Sequence, residues 1–221
     1  MIKKISLFVL CFSLSFTQTY AQKHLGLEVG LNMSTFSETG GSPNMAYNRL
    51  YGLRIGAIMD FPVSDYISIQ PGLLFSMMGA DQPQYAYQGG ISPHTVMRLD
   101  YMHIPLNILG KLSVGQGKLV LGGGPYVSVG VNGTLKTDDV TIDSLTYKGG
   151  SHGLLFGHSL DKLALVELGI NLNIGYEFKN GLFFRLGYNY GLKPINNYGT
   201  VADRNTCIYI SVGGLVALRQ S

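Results

Sequence analysis

The chain has 221 residues, 30 of them glycine and 14 tyrosine, and 13% are charged. That charge is about half the roughly 25% usual in soluble domains, yet no apolar run of about 18 residues occurs beyond the extreme N-terminus, which excludes helical membrane spans. Two of the 16 basic residues lie among the first 21, and the remainder exceed the 13 acids by one, so charge gives no reason to expect a nucleic-acid partner.

The first element reads as a signal peptide. Lys3 and Lys4 precede an apolar stretch from Ile5 to Phe16 that is too short to span a bilayer, and Thr19-Tyr20-Ala21 has the small-x-small form of a cleavage site. A signal peptide over 1–21 and a single domain over 22–221 are therefore expected. Leu10, not a small residue, precedes Cys11 and the apolar run continues past it, which argues against a lipid anchor. Only Cys207 then remains, so no intramolecular disulfide forms.

Eight segments follow that alternate with period two. The first sets Leu25, Leu27, Val29, Leu31 and Met33 against Gly26, Glu28, Gly30, Asn32 and Ser34. The second sets Tyr51, Leu53, Ile55, Ala57, Met59 and Phe61 against Gly52, Arg54, Gly56 and Asp60, and the third sets Ile67, Ile69, Leu73 and Phe75 against Ser68, Gln70, Gly72 and Ser76. The fourth sets Met102, Ile104, Leu106 and Ile108 against Tyr101, His103, Asn107 and Lys111. The fifth sets Leu119, Leu121, Val127 and Val129 against Gly122, Gly124, Tyr126 and Ser128. In the sixth, Val166 to Phe178 alternate cleanly with Glu167, Gly169, Asn171, Asn173, Gly175 and Glu177. The seventh sets Leu182, Phe184, Leu186 and Tyr188 against Arg185, Gly187 and Asn189, and the eighth sets Ile208, Ile210, Val212 and Val216 against Cys207, Tyr209, Ser211 and Gly213.

The connections alternate between tight (62–65, 113–117, 179–181) and long (37–49, 79–96, 133–162, 193–205). This is the pattern of an up-and-down, eight-stranded antiparallel transmembrane β-barrel with short periplasmic turns and long extracellular loops. A soluble calyx also alternates, but it needs a charged exterior. Here one face carries no charge in any segment, so that face meets lipid, and the charged face points inward, where ions pair. Phe36, Tyr51, Phe61, Tyr66, Tyr176, Phe178, Tyr188 and Tyr190 fall near segment ends, as interfacial girdles require. Pro71, Pro105 and Pro125 lie inside segments, where bulges or a position at the membrane boundary are expected.

Eight strands enclose a lumen only wide enough to be filled by side chains. The inward charged set is Glu28, Arg54, Asp60, His103, Lys111, Glu167, Glu177 and Arg185. It reads as a structural ion-pair core that plugs the barrel, against the alternative of a charged pore lining or gate. Interior glycines leave room for Arg54, Arg185, Tyr126 and Tyr209 from other walls. Glu177 and Arg185 flank a tight turn as diagonal neighbours within reach of a salt bridge, and His103 projects inward beside Lys111. In the longest loop, Ser151, His152, His158 and Ser159 lack the spacing of a hydrolase, and Asp138, Asp139 and Asp143 lack that of a calcium loop. Gly122-Gly123-Gly124 precedes no helix and is not a phosphate loop. No enzyme activity, cofactor or metal is expected.

Several stretches in order resemble the outer-membrane β-barrel family common in Bacteroidetes, described as porin-family or PorT-like. They are Gly26-Leu-Glu-Val-Gly-Leu-Asn, Ile67-Ser-Ile-Gln-Pro-Gly-Leu-Leu-Phe-Ser, Tyr101-Met-His-Ile-Pro-Leu-Asn-Ile-Leu, Gly123-Gly-Pro-Tyr-Val-Ser, Leu168-Gly-Ile-Asn-Leu-Asn-Ile-Gly-Tyr-Glu and Leu182-Phe-Phe-Arg-Leu-Gly-Tyr-Asn-Tyr-Gly-Leu. The resemblance implies the barrel fold, in-strand prolines and an outer-membrane location, but no single activity. The expected function is a non-enzymatic integral membrane protein, an anchor or small plugged pore whose outer loops make contacts. Outer-membrane lipids, and envelope or secretion proteins, are the expected partners. The alternatives are an accessory role in protein secretion, which the PorT-like resemblance implies, and a lipid A-modifying barrel enzyme.

Overall fold

The computed structural model describes residues 22–39, 47–87, 90–142, 144–157, 159, 162–196 and 202–218. The expected signal peptide, Asp143 and His158 lie outside the described residues. Eight long strands form one closed antiparallel ring: β1 His24–Thr39, β2 Asn48–Pro62, β3 Ile67–Gln82, β4 Thr95–Val114, β5 Gly117–Thr137, β6 Val166–Phe178, β7 Leu182–Gly191 and β8 Ala202–Ala217. Each pairs with its sequence neighbours, and β8 pairs with β1 to close the ring. Closure leaves no free edge within the membrane, where an unpaired backbone N–H or C=O would have no water to meet it.

The stagger between strands can be read from the pairing. Stepping across registered partners from Met33 passes Ile208, Tyr188, Leu172, Gly123, Ile108, Ile69 and Phe61. Phe61 is one residue beyond the Asp60 that faces His24, so the circuit closes ten residues down β1. Stagger of this size goes with strands tilted by about 35–45°.

The tight turns lie where expected, and their chemistry explains them. Gly115 holds φ 59° at the first position of the two-residue loop between β4 and β5, as a type II′ hairpin requires. Gly181 holds φ 84° at the end of the loop between β6 and β7, and its carbonyl accepts Leu215 N–H at 2.9 Å.

The opposite rim is uneven. β5 runs 21 residues and β7 only 10, so the wall stands higher over β4 and β5. The stretch 133–162 is therefore not simply a loop. β5 continues to Thr137, Val140–Ile142 pairs with Leu145–Tyr147, and Gly150–Leu154 runs antiparallel beside the top of β5. Phe156–Gly157 pairs in parallel with Leu163–Ala164.

The prolines correct a sequence expectation. Pairs flanking Pro71 (Ile58 with Gly72, Phe61 with Ile69) keep one register, as do pairs flanking Pro125 (Pro105 with Tyr126, Ile108 with Gly123). No bulge forms there, and Pro71 and Pro125 sit among the exposed apolar residues Ile69, Leu73, Leu121 and Val127, away from the boundary. A missing N–H removes a rung without shifting the ladder. The register shifts instead between Arg49 and Arg54 and at Asp100 and Tyr101.

The two faces divide as the alternation predicts. Leu27 and Val216 are each 71% exposed, while Glu28, between Leu27 and Val29, is 1% exposed. Outward leucines, isoleucines and valines form a continuous apolar band on all eight strands, as a lipid-facing surface requires. One expected girdle residue falls elsewhere. Phe36 is buried inside, in a cluster with Met78, Leu99, Tyr101, Ile195 and Tyr209 toward the loop end of the barrel. Ile58, Phe183 and Leu215 form a smaller cluster inside.

Candidate functional site

The lumen holds one continuous chain of hydrogen-bonded charges. Glu28 on β1 accepts Arg54 Nε of β2 at 2.7 Å through Oε1, and Arg185 Nη1 of β7 at 3.3 Å through Oε2. Arg185 Nη2 donates to Gln70 Oε1 of β3 at 2.8 Å, and Gln70 Nε2 donates to Asp60 Oδ1 of β2 at 3.4 Å. Lys111 Nζ of β4 then reaches both Asp60 Oδ2 and Glu177 Oε2 of β6, each at 2.8 Å. Three cations meet three carboxylates, so the chain is neutral and ties six strands across the lumen.

Glycine on neighbouring strands makes this filling possible. A Cβ at Gly187 would stand 2.2 Å from the ring of Tyr209, and one at Gly169 would stand 2.3 Å from that of Tyr126. Gly187 is registered against Tyr209 and Gly169 against Tyr126, so each ring lies over the strand beside it and not over a distant wall. Tyr209 carries the Arg54 guanidinium 4.0 Å from its ring centre, and its hydroxyl accepts Asn171 Nδ2 at 3.1 Å.

Two of the inward residues stand apart from the chain. Glu167 has no cationic partner among the described residues; it accepts Tyr126 Oη–H at 2.7 Å and Asn205 Nδ2 at 2.5 Å. His103 Nδ1 lies 2.8 Å from Ser128 Oγ, and its ring is 4.6 Å from that of Tyr126. It is not beside Lys111, which lies eight residues further down β4. The diagonal Glu177–Arg185 pair also fails to form. Arg185 is long enough to reach Glu28 across the lumen, and Lys111 satisfies Glu177 instead.

Gln70, Asn171, Asn189, Asn205 and Ser128 complete the network without having been singled out beforehand. All except Asn205, which lies in the stretch read as a loop, stand on the charged face in the sequence pattern, and that parity was the available signal. Ser128 and His103 are within hydrogen-bond reach like a nucleophile and its base, but both are fully buried. Ser151 and His152 are consecutive strand residues and so point to opposite faces.

A separate cluster lies above the apolar band. His94 Nδ1 is 2.7 Å from Asp138 Oδ2 and its Nε2 is 2.9 Å from Asp81 Oδ1. A neutral imidazole has one N–H, so only the imidazolium donates to both carboxylates. The bonds to Asp138 and then Asp81 raise the His94 pKa above its ordinary value, and the same His94 bond holds Asp138 below the usual carboxylate range. The contact ties the loop after β3 to the segment after β5, where Asp138 N–H also donates to the His94 carbonyl at 3.0 Å. Lys136 is the nearby cation acting on Asp138. Because the folded His94 pKa is raised, its contribution is full below the unfolded value of about 6.5 and is lost as pH rises through the folded value. Asp138, being lowered, contributes above its unfolded value and loses that contribution as pH falls through the folded one. The His94 ring resonances are therefore expected to titrate above pH 6.5 or so, and Asp138→Asn is expected to lower that midpoint. An unchanged midpoint would contradict the tether.

With this geometry in view, the chain matches the family model described as outer membrane protein beta-barrel domain over residues 18–197. It is an outer-membrane β-barrel protein and belongs to this family. Among solved structures, it is similar to Ail of Yersinia pestis, the attachment invasion locus protein (10% identity, 89% of this chain and 100% of that one, TM-score 0.41). It is also similar to Neisserial surface protein A (12%, 88% and 97%, TM-score 0.44) and to OprG of Pseudomonas aeruginosa (9%, 90% and 97%, TM-score 0.45). No curated protein matches the sequence.

Proposed function

We propose that this is a non-enzymatic integral membrane protein whose barrel is a plugged anchor and whose outer loops make its external contacts. The observation that supports this most is the neutral ion chain from Arg54 to Glu177, which crosses the lumen through six strands. An open channel needs a water-lined path. Here the space is taken by Arg54, Tyr101, Tyr126 and Tyr209, each 2% exposed or less, and apolar side chains cluster toward the loop end. Ser128 and His103 are each 0% exposed, and that burial weighs against hydrolysis inside the barrel. The long wall over β4 and β5, with its added strand at Gly150–Leu154, supplies the external contact surface. Purified protein in a planar lipid bilayer is expected to give no steady conductance steps. A stable, large conductance in the folded protein would overturn the plugged reading.

A further inference from the structure

We propose that the turn end of the lumen is a binding site for an organic carboxylate, an anionic head on a short apolar body, entering from the periplasmic side. The site lies at the foot of the ion chain, and it is independent of whether the lumen above conducts.

Glu177, the last member of the ion chain, also lines a cavity of about 510 Å³ framed by the turns. That volume falls in the range of about 300–1,000 Å³ that holds small organic ligands. The walls are tied to one another. Tyr176 Oη of β6 donates to the Val114 carbonyl at 2.7 Å, which fixes the turn between β4 and β5. Leu215 N–H of β8 donates to the Gly181 carbonyl at 2.9 Å, which fixes the turn between β6 and β7.

The polar side of this cavity is rich in donors. His24, Ser113, Lys118 and Asn180 line it, and each carries at least one N–H or O–H. Asn180 Oδ1 already accepts Leu182 N–H at 3.1 Å, so its amide N–H groups are what it has left to offer. The cavity is also positive. Lys118 is half-buried on the inner face, registered against both Ser113 and Glu177, and Lys179 stands exposed at the rim. Glu177 is the only carboxylate in the lining, and its Oε2 is held by Lys111 at 2.8 Å. Among the described residues, no carboxylate lies within salt-bridge distance of Lys118 or Lys179. The ion chain is neutral without these two lysines, so their charge is left for a ligand. A carboxylate is the fitting anion. An ammonium is a point charge that matches one negative charge, whereas the fork that grips phosphate bidentately belongs to arginine, and no arginine lines the cavity. The other side is apolar, formed by Ala217 and by Leu215, which clusters with Ile58 and Phe183. The body carried by the carboxylate is therefore apolar.

The test follows the Gly117, Lys118 and Gly181 amide resonances of the full barrel in nanodiscs of zwitterionic lipid. The probes are benzoate and an acetylated alanyl-phenylalanine dipeptide with a free C-terminal carboxylate. Saturable shifts of these amides are expected with both. Tighter binding of the dipeptide acid would support a polypeptide C-terminus as the source, and tighter binding of benzoate a free small acid. Benzamide and the dipeptide amide are expected to leave the resonances in place, a readout that needs no variant to fold. Lys118→Gln is expected to weaken binding at least about tenfold, the scale of losing a charge-assisted hydrogen bond. Lys148→Gln, exposed at the loop end, is expected to bind as the unaltered protein does. Absence of saturable shifts with both acids would overturn the proposal. So would equal binding of the amides, undiminished binding by Lys118→Gln, or inorganic phosphate binding as tightly as benzoate.

Discussion

Glu28→Gln is expected to destabilise the folded barrel by about 3–5 kcal/mol, the cost of breaking a buried ion pair from one side. Glu28 is the only carboxylate within salt-bridge distance of Arg54 and Arg185 among the described residues, and it is 1% exposed. The amide keeps one acceptor but leaves two guanidinium charges facing each other without a counter-charge. The check is reversible denaturant unfolding in lipid vesicles, read as the midpoint and slope. The companion variant decides the cause. Glu28→Leu/Arg54→Met/Arg185→Met removes all three charges, and apolar replacement of a complete buried triad is often neutral or stabilising. It is therefore expected to recover most of the loss. A loss below about 1 kcal/mol in Glu28→Gln would place that interaction in the range of a surface pair and contradict its role in holding the lumen together.

Gly187→Val is expected to be the most damaging single glycine replacement of those beside a lumen ring. Its Cβ would meet Tyr209 Cζ at 2.2 Å and Oη at 2.4 Å, so the ring must move. That ring stacks under Arg54 and accepts Asn171, so the displacement reaches the ion chain. Overpacking of this kind costs typically 1–3 kcal/mol or more. Truncating the ring in Gly187→Val/Tyr209→Ala is expected to give less than the sum of the single losses, as residues in contact do. Gly153→Ala is the control, since nothing lies within 4 Å of its added Cβ. Strict additivity of Gly187 and Tyr209, or an equal loss at Gly153, would contradict the packing described.

The alternation made the strands, their faces and the short turns legible, because period two is a local property of the chain. Phe36 was read as a girdle residue from its nearness to a strand end, although it shares the parity of Glu28, Asn32 and Ser34, and that parity puts it inside. Partner choice inside the lumen was not legible. Arg185 and Glu28 are 157 residues apart in sequence and Arg185 and Gln70 are 115 apart, and their meeting depends on the stagger of the whole ring. The local diagonal from Glu177 to Arg185 was the visible pairing, and it lost to longer reach. The stretch 133–162 mixes short strands with turns, has no sustained apolar face, and read as loop. His94 was hidden for the same reason: its carboxylate partners lie 13 and 44 residues away on other segments.

Cys207 offers a built-in reporter of the central claim that the barrel is filled by its own side chains. It points inward, is 1% exposed, and is the single cysteine of residues 22–221. Folded protein beginning at Gln22, in lipid vesicles, is to be treated with a water-soluble maleimide and its labelled fraction followed by intact mass. Cys207 is expected to stay unlabelled until the barrel is unfolded by heat, and then to react fully. Rapid labelling of the folded barrel would show that water and solutes enter the lumen, and would contradict the plug.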